Sequence, residues 1–294
     1  MTEANHLIFD HHPSLVTPYL KGLITRRAGL KNGISLPRIQ TTWKEFTINP
    51  KHLHRFMDIC ELPPQAQVPF EYPLTLVFPS HMHILGHSQF PLSPFSMLQT
   101  RIQIRQNRTL ALNTNYSLHC QIFDRKDTNR GMNLGVCSQL CQGNELAWES
   151  INTYYFRNTR SPDADNTPIP KRSYRELPKT CEERIFKIPA KKGFAFALLS
   201  GDFNGIHYSR HYARLLGFKR DFCHAQRSLA VCLNKHSFSY KNGRVQLDAA
   251  LKGPVYYDSD LLMKSDASQT PHRIDLFCAD NPRPTLVIEI NSDF

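Results

Sequence analysis

Residues 223–233 read Cys-His-Ala-Gln-Arg-Ser-Leu-Ala-Val-Cys-Leu, with apolar side chains at helical spacing. Four strand candidates follow, at 238–251, 255–264, 272–278 and 284–290. Turn signals separate them: Lys252-Gly-Pro, then 266–270, then 280–283. One helix followed by a run of strands predicts an antiparallel sheet wrapped around that helix, and so an α+β fold. Ahead of the helix, 183–189 alternates like a strand, and 192–199 and 209–217 read as short helices.

The first half repeats this order less clearly. A strand candidate at 36–48 precedes a helix candidate at 50–60. Residues 72–85 read as a second central helix, broken or kinked at Pro79. Strands are expected at 97–106, 111–125, 132–141 and 145–156. The stretch 158–181 reads as a linker, because it carries Pro162, Pro168, Pro170 and Pro178, many charges and no apolar period. The expected organisation is a first half at 1–157, a linker at 158–181 and a second half at 182–294.

Chemistry concentrates at the start of the second half. The sequence from Phe196 to Ala213 is Phe-Ala-Leu-Leu-Ser-Gly-Asp-Phe-Asn-Gly-Ile-His-Tyr-Ser-Arg-His-Tyr-Ala. Asp202 stands five residues before His207, with Gly201 and Asn204 setting the turn. A carboxylate and an imidazole held by a tight turn at the end of an apolar segment can share one water, as a general acid–base unit does. Asn204 suits the turn itself, since its amide can bond local backbone.

Phe196, Leu199, Ser200, Gly201, Asp202, Asn204, Ile206, His207 and Ala213 together resemble the signature of MaoC-like (R)-specific enoyl-CoA hydratases and dehydratases. One position departs: Gly205 stands where that family usually carries proline, which makes the turn looser. In the first half, Tyr19-Leu-Lys-Gly-Leu-Ile-Thr-Arg-Arg, Leu36-Pro-Arg and 73–85 also resemble the N-terminal part of double hot-dog members. The resemblance implies a double hot-dog, in which two antiparallel sheets each wrap a central helix. It implies one working site, in 182–294, and a pseudo-dimer that is monomeric or pairs as a homodimer.

The resemblance also implies a reaction: addition of water across a trans-2-enoyl thioester to give the (R)-3-hydroxyacyl thioester, or the reverse. Asp202 is then the principal base, and His207 its orienting and proton-sharing partner. Donors for the thioester oxygen are expected at His224-Ala225, where the family usually shows His-Gly before its helix. Ala225 keeps the backbone N–H, although its methyl crowds the carbonyl. Gly201 and Asn204 support the turn. Lys219, Arg220 and Arg227 are candidates for substrate phosphates, with Arg227 read as a surface or CoA-facing cation. The handle is acyl-CoA or an acyl carrier protein thioester, and neither cofactor nor metal is expected.

Composition narrows the alternatives. The net charge of +11 is spread, without a run of five basic residues, and no nucleic-acid recognition motif accompanies it. Basic pairs beside the Asp–His segment, Lys191-Lys192 and Lys219-Arg220, suit attraction of phosphates or of an acidic carrier. Eight cysteines lie scattered in a chain whose first twelve residues lack a signal-peptide pattern. Free thiols and a soluble, cytoplasmic protein without membrane insertion are therefore expected. Cys137 and Cys141 lack metal spacing, and His207 and His211 lack the Glu of a zinc-protease helix. A non-catalytic hot-dog module that binds acyl chains or a protein partner is favoured by Gly205 and Ala225, but opposed by Asp202 and His207. A hot-dog thioesterase is opposed by the lack of Asp and Glu in 223–233.

Overall fold

A computed structural model describes residues 5–29, 36–64, 67–128, 131–157, 174, 176–236, 243–278 and 281–292. They form two compact units. Most of the expected linker, 158–173 and 175, lies outside the described residues.

The first unit takes in Met1–Thr47, Leu76–Arg101 and Thr114–Tyr174. Its strands are β1 (Asn5–Phe9), β2 (Ile39–Phe46), β4 (Tyr116–Thr128), β5 (Gly131–Gln142), β6 (Glu145–Arg157) and the start of β3 (Met97–Gln106). They lie in the order β1-β2-β4-β5-β6-β3. β2, β4, β5 and β6 pair antiparallel in turn, whereas β1 joins β2 in parallel, from Asn5 opposite Ile39 to Phe9 opposite Trp43. The parallel edge differs from the all-antiparallel sheet expected. Helix α1 (Val16–Ile24) follows β1.

Helix α3 (Leu74–Leu85) is the central helix of this unit, and it runs through Pro79 as one element. From Leu76 to Leu85 all its residues are buried except His83, which is half-buried. A helix apolar on every side has to be surrounded. His81 ties it to the sheet, with Nδ1 2.7 Å from the Tyr154 hydroxyl and Nε2 2.7 Å from Ser138 Oγ. Burial pushes this imidazole down to about 3. It is a neutral, fully bonded core histidine rather than a metal ligand.

The second unit takes in Ile48–Thr75, Ile102–Asn113 and Arg175–Phe294. It therefore draws on the first half of the sequence as well as the second. The physical reason lies in helix α2 (Pro50–Cys60), which packs against α4 (Gly193–Ser200) and α6 (Ala225–His236). α2 begins sharply because Asn49 Oδ1 accepts from Lys51 N and His52 N and Pro50 fills the first turn. Its end is held by Asn234 of α6, whose Nδ2 donates to Glu61 O at 2.8 Å.

In the second unit the strand order is β3-β8-β11-β10-β9-β7, with β8 (Val245–Leu251), β11 (Leu286–Asn291), β10 (His272–Cys278), β9 (Leu261–Asp266) and β7 (Glu182–Phe186). From β8 onward every neighbour pairs antiparallel. α6 packs on β10, and Gln226 through Leu233 are all buried. Leu229, Val231 and Leu233 each contribute about 1.5–3 kcal/mol of burial at this centre. Between α4 and α6 comes the short helix α5 (Arg210–Leu215). All eight cysteines are free. Among the described residues no helix is long and apolar enough to cross a membrane.

Candidate active site

The site is assembled where α4 stops. Phe196, Ala197 and Leu199 bury one face of that helix. Gly201 then takes φ 79°, a left-handed conformation that glycine adopts without a Cβ penalty. Its N–H closes the helix on Ala197 O. Ser200 Oγ donates to Phe196 O at 2.8 Å and accepts from Asp202 N at 3.3 Å. The chain thus leaves the helix with Asp202 fixed at its first free position.

A second turn fixes His207. Asp202 Oδ1 accepts from Asn204 N at 3.2 Å, and Asn204 Oδ1 accepts from Ile206 N at 3.3 Å. Gly205 to His207 form one 3-10 turn, capped by Asn204. The Tyr212 ring covers Gly205, and a Cβ there would lie 2.8 Å from Tyr212 Cδ1. This explains glycine at a position where the resembled family uses proline: the ring, rather than a pyrrolidine, packs against the turn.

His207 Nδ1 lies 3.0 Å from Phe222 O. A carbonyl only accepts, so Nδ1 carries the proton and Nε2 of the neutral ring is bare. Nε2 faces Asp202 Oδ2 at 3.7 Å, too far for a direct hydrogen bond. Burial pushes the Asp202 carboxyl up, against the opposing pull of His207 and the Asn204 N–H. Burial pushes the His207 imidazole down, against Asp202 and the Phe222 carbonyl. With the carboxyl ionised and the imidazole neutral, the pair is a carboxylate facing an imidazole lone pair, two acceptors with a gap between them.

His224, the residue before α6, completes the cluster. Its ring stacks on His207, with centroids 3.9 Å apart and planes 25° apart. Its Nε2 donates to Asp202 O at 3.1 Å. The ring is 1 % exposed and Nδ1 has no hydrogen-bond partner among the described residues. Burial, with His207 adding to it, holds His224 well below the ordinary histidine range, so it is neutral. Two backbone bonds lock the segment: Phe222 N to Ile206 O at 3.2 Å and Cys223 N to Val255 O at 2.8 Å.

Donor atoms of Asp202, His207 and His224 lie within 4.8 Å of one another. The lone pairs of two rings stacked this closely run side by side instead of converging, which suits a tetrahedral ion poorly. The cluster fits proton transfer better than metal ligation.

Three further candidates fall differently. Lys219 is exposed, with its main chain held by the Tyr256 hydroxyl and by Arg214 Nε. Arg220 is half-buried, 3.4 Å from Asp221 and 3.9 Å from Asp258. Arg227 has to be corrected: it is 0 % exposed, inside the unit rather than on its surface. Its Nη1 donates to Pro189 O at 3.1 Å and its guanidinium lies 5.8 Å from the Tyr257 ring centroid. The third position of α6 points inward, so this cation packs in the core rather than standing at the surface.

Ala225 opens α6 beside His224 and keeps the N–H of an unsatisfied first turn. His52 of α2 was not legible as a site neighbour. Its Nε2 donates to Leu199 O at 3.0 Å and its Nδ1 accepts from the Tyr72 hydroxyl at 2.9 Å. It holds the last turn of α4 from 147 residues away, and no sequence signal joins the two.

The fold is a double hot-dog, and its likeness is to MaoC-like dehydratases. In sequence the chain is 25% identical over 218 residues to 3-hydroxyacyl-thioester dehydratase X of Mycobacterium tuberculosis, covering 73% of this chain and 77% of that protein. In structure it matches HtdX of Mycobacterium tuberculosis with a TM-score of 0.73 at 20% identity, over 86% of this chain and 100% of the other. A MaoC-like dehydratase from Phytophthora capsici matches at 0.71 and 15% identity, over 88% and 96%. A double hot-dog protein of Mycobacterium tuberculosis matches at 0.56 and 10% identity, over 86% and 96%. No protein-family model matches the chain.

Proposed function

We propose that this chain catalyses the reversible hydration of trans-2-enoyl thioesters to (R)-3-hydroxyacyl thioesters, with Asp202 and His207 acting on one water. Dehydratase chemistry as such is supported by the similarity to 3-hydroxyacyl-thioester dehydratase X. The acid–base assignment rests on one observation: a bare Nε2 and a carboxylate oxygen face each other across 3.7 Å. That gap suits a shared water better than a direct bond.

Hydration needs a base for water, a proton for C2 and donors for the thioester oxygen. Asp202 takes a proton from water as the water oxygen bonds to C3. The C2–C3 π pair moves toward C2 and the thioester oxygen. C2 then receives a proton from the pair, which returns to its starting state. In the reverse direction Asp202 takes the C2 proton, the C3–O bond breaks, and the departing hydroxide leaves as water with that proton. The Ala225 N–H at the start of α6 stabilises the enolate oxygen through the orphan donors and dipole of that helix end. Lys219 and Arg220 remain the cations for a phosphorylated handle.

Stereochemistry tests this reading. Separate incubation with (R)- and (S)-3-hydroxyacyl thioesters, followed by enoyl absorbance, is expected to show dehydration of the (R) form. Dehydration of the (S) form instead would overturn it.

A further inference from the structure

We propose that the acyl group reaches Asp202 on an acidic carrier protein, docked on the exposed faces of α4, α5 and the residues between them. This rests on the dehydratase reading and names its partner.

The charge of the segment is one-sided. Between Lys187 and Arg220 there are seven Lys and Arg, at 187, 191, 192, 210, 214, 219 and 220, and one carboxylate, Asp202, which belongs to the site. Lys187, Lys192 and Arg220 face Asp260, Asp58 and the pair Asp221 and Asp258. Lys191, Arg210, Arg214 and Lys219 are exposed and make no ion pair among the described residues.

Apolar side chains lie between these cations. Phe194 and Leu198 share one face of α4 and are 51% and 50% exposed. The Phe194 ring meets Tyr208, centroids 5.4 Å apart, and the Tyr208 hydroxyl donates to Phe203 O, next to Asp202. Tyr212 covers Gly205, and Leu215, three residues on along α5, is 84% exposed. The apolar surface is therefore continuous with the edge of the site.

An exposed apolar patch ringed by charge marks a protein contact. The compact phosphates of a free nucleotide need cations converging on one pocket. Here the cations are strung along helix surfaces with large apolar side chains between them. An acidic protein helix carrying the acyl thioester on a flexible arm satisfies both, with charge steering the encounter and apolar contact holding it.

The test presents one enoyl group on three handles: an acidic acyl carrier protein, CoA and N-acetylcysteamine. The enzymes are the wild type, Arg210→Glu/Arg214→Glu and Leu215→Asp. Each variant is expected to lose about ten-fold or more in kcat/KM with the carrier thioester. Each keeps the wild-type rate with the N-acetylcysteamine thioester, which also shows that it folds. Unchanged carrier turnover in both variants would overturn the docking surface, as would turnover of the CoA thioester with none of the carrier thioester. Binding of the wild type to anionic lipid vesicles, lost in the variants while carrier turnover stays constant, would give the surface to a membrane and also overturn the proposal. N-acetylcysteamine turnover that Asp202→Asn abolishes keeps the dehydratase reading whatever the carrier does. No turnover on any handle defeats both.

Discussion

In the proposed mechanism Asp202 and His207 divide their labour through the groups behind them. The Phe222 carbonyl accepts a hydrogen bond from His207 Nδ1–H and so leaves Nε2 bare. The active form on this account is ionised Asp202 with neutral His207. Burial raises Asp202 and lowers His207. The sign follows: kcat/KM rises with pH as the raised carboxyl loses its proton, and stays high because the lowered His207 is already neutral and keeps its Nδ1–H. The acid limb, a property of the coupled pair, is expected above the ordinary aspartate range. A pH–rate profile checks this, and an alkaline fall through the usual histidine range would contradict it. Gly201 carries a second prediction at this scale. At φ 79° an added Cβ is strained, so Gly201→Ala is expected to cost about 1 kcal/mol in denaturant unfolding and to lower kcat by shifting Asp202. Asp202, Asn204 and His207 were legible because they lie within six residues of sequence. The His224 ring and the Phe222 carbonyl reach the same point from 15 to 22 residues away. The signal for His224 was the resemblance to the family's His-Gly before its helix.

At the scale of elements, α4 and α6 supply the site and α2 supports it. Helix α2 was expected at its observed bounds, because Asn49-Pro50 is a strong start signal. Its place was not legible, since nothing in the local pattern says which helix it packs on. Arg227 shows the same limit: a guanidinium in the first turn reads as surface, and only the packing of α6 buries it. β1 was missed because a five-residue edge strand with alternating burial resembles a polar terminus. The turn before α3 carries a testable charge. Glu71 is 5% exposed, and burial pushes its carboxyl up to about 7 from an ordinary 4.5. The folded state therefore holds this proton more tightly than the unfolded chain. The stability it contributes is full below pH 4.5 and is lost as pH rises to about 7. Glu71→Gln keeps the neutral shape, so denaturant unfolding is expected to show it gaining about 3 kcal/mol on the wild type between acid and pH 8. A difference that stays constant with pH would contradict this.

For the molecule as a whole, the repeated order of helix and strands was enough for α+β, the double hot-dog came from the family resemblance of 196–213, and the long strands β4 to β6 made the strands of the first unit readable. The division into units was not readable in the same way. Ile48–Thr75 and Ile102–Asn113 belong with the second half because α2 packs on α4 and α6, and because β3 supplies residues to both units. Sequence order alone carries no trace of that exchange. The proposed site nevertheless stays within one unit, as 200–225 holds Asp202, His207, His224 and the start of α6. The most direct measurement is the loss of enoyl-thioester absorbance with a trans-2-enoyl thioester, in wild type, Asp202→Asn and His207→Ala. Turnover by the wild type, reduced by about two to four decades in each variant, is the result this account predicts. Wild-type turnover in either variant would contradict it.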